Sequence, residues 1–360
     1  MSRRTTRSFR FRGFRGRFAS TSGAGSAFGR KPIRRDRATG IALVSVILAV
    51  ALVATISAGI IARQHLEIRR VTNLLHAHQA YEYALGVEFW AAGVLRRDLL
   101  EGSEERVDHP GEAWGGSLPP TDIEGGTLTG RIEDLRARFN LNNLRQEDPE
   151  NEDSDNQEAW RGDFRSFQGL LKHCELEPRL IWPVIDWIDG GARDEISPGG
   201  AEDYQYLGLD IPYRAANAPM ADPSELVLVQ GFDYEAYACL SPLVSALPEY
   251  APININTASA PVLMAIITGM TQTQAKQVVD RREREPYQSV DGFLEYLETI
   301  GAPVPEGEGG FNKGSISVSS NYYLVVATTQ IGNTRMDLFS RIKRLESGET
   351  RVLSRRRGSF

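Results

Sequence analysis

Cysteine is almost absent from this chain: Cys174 and Cys239 are the only two among 360 residues. Two thiols exclude a disulfide framework, and their spacing is not that of a metal site. One bridge, formed if the folded body lies outside the cytoplasm, and two buried free thiols both remain open. Missing as well are a nucleophile elbow, an H-E-x-x-H pair, a P-loop and any paired-cysteine metal signature. The five histidines are scattered, and His76 and His78 fall on a helical stretch where surface positions account for both. No nucleophile has a base beside it, so the expectation is a protein that is not an enzyme.

Charge is missing altogether from Ile41 to Ala62, 22 residues reading IALVSVILAVALVATISAGIIA. At about 1.5 Å per residue this run crosses a hydrocarbon core about 30 Å thick, whereas a buried soluble helix would keep a polar stripe. Arg30, Lys31, Arg34, Arg35 and Arg37 precede it, so the positive-inside bias puts the N-terminus in the cytoplasm and the body outside. The charge division agrees. Residues 1–40 hold twelve Lys and Arg against the single Asp36, and the remainder nets −17 although the whole chain nets −6. A secretory signal peptide would have a shorter apolar region ending in a cleavage site. Here apolar residues continue at helical spacing through Leu66, Leu75, Tyr81, Leu85, Phe89 and Leu95, with no breaker before Gly86. One helix of roughly fifty residues is expected over 41–100, half in lipid and half packed on a soluble domain.

Residues 101–126, rich in Pro and Gly, read as loop, and 127–135 alternates like a half-buried strand, with a second short strand or turn at 138–144. The sheet's first part is thus expected within 101–145. The acidic stretch Gln146–Glu158 reads as a solvated loop. Helical patterns follow within 146–312, broken at Gly231, Pro242, Pro248, Gly269 and Pro286. Strands return at 315–319, 322–329 and 335–342, with Gly332-Asn333 as a hairpin turn, giving a second sheet part over 313–345 and a basic tail over 346–360. Strands on both sides of a helical block predict one α+β fold: a long helix on a small antiparallel sheet with a large α-helical insertion.

Two constellations stand out in the helical block. Asp189, Asp194, Glu195, Glu202 and Asp203 lie among glycines, and hard oxygen donors of this kind suit calcium. Without a cation their repulsion should hold the loop open, and a merely solvated acidic loop is the plainer alternative. The second, residues 253–282, resembles a helix-hairpin-helix turning at Gly269, with an imperfect copy over 225–240 turning at Gly231; together they suggest a SAM-like domain. DNA-binding hairpins offer bare backbone amides and a basic residue to phosphate. Here Asp233 would repel phosphate, and Lys276, Arg281, Arg282 and Arg284 are interleaved with Asp280, Glu283 and Glu285. No nucleic-acid partner is expected, although the hairpins leave a membrane-tethered DNA receptor of the competence type as the rival reading.

Four features in order carry a family resemblance: the basic leader ending RATG before IALV, the RFNLNNL stretch at 138–144, WID with GGAED at 187–189 and 199–203, and ININ followed by TA at 253–258. Together they resemble the minor pseudopilins of type II secretion systems, specifically the protein K family. The resemblance implies cleavage of the leader by a prepilin peptidase between Gly40 and Ile41, although forty residues is long for such a leader. Pilins carry Glu at mature position five, pairing a neighbour's amine inside the apolar bundle; Ser45 stands there, and the departure fits protein K, in which this position is typically not Glu. The resemblance further implies an inner-membrane, single-pass subunit with a periplasmic body. Its partners are the I and J minor pseudopilins, with which it nucleates and caps the pseudopilus. It implies structural calcium in the α-domain, with Gly191 replacing one acid of the pattern and Asp194 or Glu195 substituting for it.

Overall fold

The computed structural model describes residues 39–101, 106–145, 154–190, 197–304 and 313–358. The apolar and then amphipathic pattern folds as one helix, α1, Thr39–Glu101. It outruns the expected length because Gly59, Gly86 and Gly93 do not stop it, glycine costing a helix interior only about 1 kcal/mol. The chain up to Glu67 is one compact unit, and Ile68 onwards is another. Among the described residues, α1 is the one helix long and apolar enough to cross a membrane.

The second unit carries β1 (Leu118–Ile123) and β2 (Gly126–Asp134), then a helical block. Two short parallel pairs lie at the edges of that block: β3 (Phe139–Asn140) with β4 (Val244–Ser245), and β5 (Ile253–Asn254) with β6 (Ile316–Ser317). After it come β7 (Tyr322–Ile331), β8 (Thr334–Arg344) and β9 (Thr350–Arg357). The main sheet is antiparallel in the order β1-β2-β7-β8-β9, so β2 and β7 are neighbours although the whole helical block separates them in sequence. Between β7 and β8 the two-residue turn Gly332-Asn333 pairs Ile331 with Thr334, as the sequence predicts.

Four expectations are corrected. The acidic stretch expected as loop to Glu158 is helical from Ser154. Part of the supposed loop 101–126 is β1, an edge strand in which Pro119 and Pro120 are tolerated because an edge needs fewer backbone donors. Only Ile316–Ser317 of 315–319 is a strand, and it pairs with β5 rather than joining the main sheet. The basic tail is β9. Consecutive side chains of a strand alternate between its faces, so Arg355 grips both oxygens of Glu88 on α1 at 2.8 Å, Arg357 lies 3.8 Å over the Tyr81 ring, and Arg356 pairs with Asp222 of the helical block.

From Ala84 to Leu95, α1 buries Ala84, Val87, Ala91 and Leu95 against Ile132, Tyr323, Val325, Leu338 and Ile342 of the sheet. The approach requires Gly130, since a Cβ there would fall 2.5 Å from Val87 Cγ1. On the other sheet face Leu135, Tyr322, Leu324 and Val326 meet Leu247 and Ala251. The largest core belongs to the helical block: α2 (Ser154–His173), α3 (Ile181–Ile188), α4 (Asp203–Leu207), α5 (Tyr234–Leu240), α6 (Ala260–Ile266), α7 (Gln272–Arg282) and α8 (Val290–Thr299). A disulfide joins Cys174, just beyond α2, to Cys239 in α5, with Cα atoms 5.9 Å apart.

Asp163 on α2 is 3% exposed. Burial pushes its carboxyl up to about 8, against the opposing pull of hydrogen bonds from Tyr250 and Asn143. Between about pH 4 and that value the folded chain keeps a proton the unfolded chain has lost, so stability falls as pH rises. Asp163→Asn is expected to flatten that slope in denaturant melts at pH 5 and 7.5; equal slopes for parent and variant would refute it.

Candidate functional site

The asparagines of 138–144 work by bridging backbones. Asn140 Oδ1 accepts from Leu247 N at 2.8 Å, Asn143 Oδ1 accepts from Ala251 N at 3.0 Å, and Asn142 both accepts from Met220 N at 2.8 Å and donates to Met220 O at 3.0 Å. In the second Asn-rich stretch Asn254 Nδ2 donates to Asp134, Asn256 bonds both backbone groups of Tyr287, and Thr257 Oγ1 donates to Asp134 at 2.6 Å. These side chains replace sheet ladders where the chain turns, as short amides do well. Through Met220 the first motif also anchors the segment beyond α4.

That segment borders the acidic site. Asp189 and Glu202 come together with Asp186, one oxygen of each lying within 4.8 Å of the others. Asp186 sits one turn before Asp189 on α3 and is 1% exposed. Helical spacing of three from Asp189 could have flagged it in the sequence, but as part of an apolar run it reads as core. Its Oδ2 has no hydrogen-bond partner among the described residues. A Cβ at residue 200 would fall 1.7 Å from that oxygen, so only Gly200 fits. Burial first, opposed by hydrogen bonds from Ser197 and Ala201, and then the neighbouring Asp189 charge push the Asp186 carboxyl up; burial, then Asp189 and Asp186, do the same to Glu202. Asn217, at φ 44°, places its carbonyl by Gly190, and its side chain bonds Glu202.

Asp203 is not one of the three: it accepts from Ala215 N at 3.0 Å and pairs with Arg214 at 3.6 Å. Asp194 and Glu195 lie outside the described residues. The donor set is all hard oxygen, and a buried carboxylate oxygen without a partner is costly unless a cation meets it. Asp186, Asp189 and Glu202 therefore fit calcium.

A second carboxylate group, Asp98, Asp108 and Glu112, does not. Arg344 occupies it, donating to Asp98 Oδ2 at 2.7 Å and to Asp108. Burial, opposed by bonds from His109 N and Trp114, holds Glu112 up at about 7.

The hairpin α6–α7 turns at Gly269, φ 90°. Three of its bases are engaged: Lys276 with Asp280 at 2.8 Å, Arg281 with Glu285 and the Tyr287 ring, and Arg282 with Ile255 O at 2.6 Å. At the other turn Asp233 caps α5 by accepting from Ala236 N. Both turns spend on packing what a phosphate-binding hairpin would present.

Two family models described as type II secretion system protein K match residues 137–249 and 253–312. Among curated relatives, type II secretion system protein K of Pseudomonas aeruginosa is 40% identical over 89% of this chain and 92% of its own length. The protein of that name from Pectobacterium carotovorum is 33% identical over 91% and 98%. A chain in the crystal structure of the GspK-GspI-GspJ complex from enterotoxigenic Escherichia coli superposes with a TM-score of 0.70 at 26% identity, covering 81% of this chain and all of that one.

Proposed function

The chain belongs to the type II secretion system protein K family, and on that premise we propose that it is the subunit that starts and caps the pseudopilus, bound to the I and J minor pseudopilins. It is a minor pseudopilin, a structural member of a secretion system rather than of an enzyme family. The observation that carries the tip role is at mature position five. Ser45 donates its hydroxyl to Ile41 O of its own helix at 2.7 Å, so this position is satisfied internally and offers no carboxylate to the N-terminal amine of another subunit, as suits a chain with no subunit above it. The helical block inserted between β2 and β7 adds bulk that subunits stacking above would have to clear. In this reading a prepilin peptidase cuts between Gly40 and Ile41, α1 anchors in the inner membrane and the body is periplasmic. Immunogold labelling of assembled pseudopili should mark one end of each filament; label along the shaft would overturn the tip role.

Calcium would be held by Asp186, Asp189 and Glu202, where it would offset three converging carboxylates. Calcium at about a hundred times its Kd should raise stability by about 3 kcal/mol, and Asp186→Asn should remove most of that gain. An unchanged melting curve with calcium and with chelator would end this assignment.

A further inference from the structure

Beyond α1, seven of the nine exposed large apolar side chains among the described residues fall in two segments, 204–211 and 227–234. Tyr204, Ile211 and Tyr234 stand furthest into water, at 85%, 83% and 73% exposed. The two segments lie side by side: the Tyr213 hydroxyl donates to Leu228 O at 2.7 Å, and Gln230 N donates to the Tyr206 hydroxyl oxygen at 3.2 Å. Trp187, Tyr206 and Tyr213 pack against one another with ring centroids 5.3–6.4 Å apart. Leu207, Leu209 and Ile211 therefore face solvent from a braced aromatic support. Single exposed apolar residues are ordinary, whereas a cluster held in place in this way marks a contact surface.

The charge around the cluster selects what covers it. From Ser197 to Leu240 the chain carries seven acids and one base, Arg214. Arg214 pairs with Asp203 at 3.6 Å, and two arginines that border the stretch are paired as well, Arg356 with Asp222 and Arg179 with Glu177. Asp210, Asp233 and Glu235 stay exposed among the apolar residues. We propose that this surface docks a segment of another protein, outside the pseudopilin set, in which apolar side chains stand among lysines or arginines. Like charge disfavours both a second copy of this chain and an anionic lipid surface, whereas an apolar centre with a basic surround meets the acidic rim. The helical block is inserted between β2 and β7, and α1 with the sheet has a core of its own. A surface on the insertion thus serves a partner other than those the helix-and-sheet frame recognises.

The test uses the full chain in its native membrane with I and J present. The photo-reactive residue p-benzoylphenylalanine in place of Tyr204 or Ile211 should give adducts at least tenfold above the same residue in place of Glu298, which is exposed on α8. Mass spectrometry of the adducts should read an apolar segment rich in lysine or arginine, from a protein other than I and J. Asp210→Lys combined with Glu235→Lys, both at exposed positions, should cut the adducts at least tenfold without moving the melting temperature. Adducts confined to I or J would make the surface part of the assembly and overturn the proposal, as would adducts with lipid or with a second copy of this chain. An adduct yield indifferent to the charge reversal, or no higher than at Glu298, would overturn it too.

Discussion

Replacing Arg344 by Leu is expected to lower stability by about 3–5 kcal/mol, because it leaves buried carboxylates without their cation. The Arg344 side chain is 4% exposed and Asp108 3%. Its guanidinium bridges Asp98 and Asp108, donates to Ser320 O at 2.8 Å and lies 5.1 Å from the Tyr323 ring centroid. Tyr323 in turn donates to Asp108 at 2.7 Å. One residue therefore ties the C-terminal part of α1, the segment before β1 and two sheet strands. Asp108→Asn should recover part of the loss in the Arg344→Leu background, since the cost lies in the unpaired charge rather than in the missing contact. Thermal or urea melts of the purified chain decide it, and a loss under about 1 kcal/mol would show that water reaches the cluster.

Cutting the Cys174–Cys239 bridge should cost about 4 kcal/mol, the loop-closure value for a separation of 65 residues. Cys239→Ser and treatment of the parent chain with dithiothreitol should give the same lowered melt, and the two together no more than either alone. A parent chain insensitive to reductant would mean that the thiols are free as isolated, and would count against a body folded in an oxidising compartment.

Much of the fold was legible because its signals are periodic. An uncharged run and an unbroken helical pattern dictate α1, and β-branched and aromatic runs dictate β7 and β8. What stayed hidden depends on partners distant in the chain. β9 reads as a basic tail because Arg351, Arg355, Arg356 and Arg357 look like solvated charge; only once the chain folds do Glu88, Tyr81 and Asp222 give three of them partners. β1 was masked by its own prolines, which speak against any strand except an edge.

The site was half visible for the same reason. Asp189 and Glu202 stand out among glycines, but Asp186 lies inside an apolar run, and its neighbours Gly200 and Asn217 arrive from later in the chain. Asp203 looked equivalent to Glu202, yet the chain beyond α4 brings Ala215 N to claim it. Sequence lists carboxylates; folding decides which of them converge.

The central claim is that α1 is the mature N-terminal stem of a membrane-anchored pseudopilin. N-terminal sequencing of the protein extracted from inner membranes tests it most directly. A first residue of Ile41 is the predicted result, and a freely soluble chain that retains its basic leader would contradict the account.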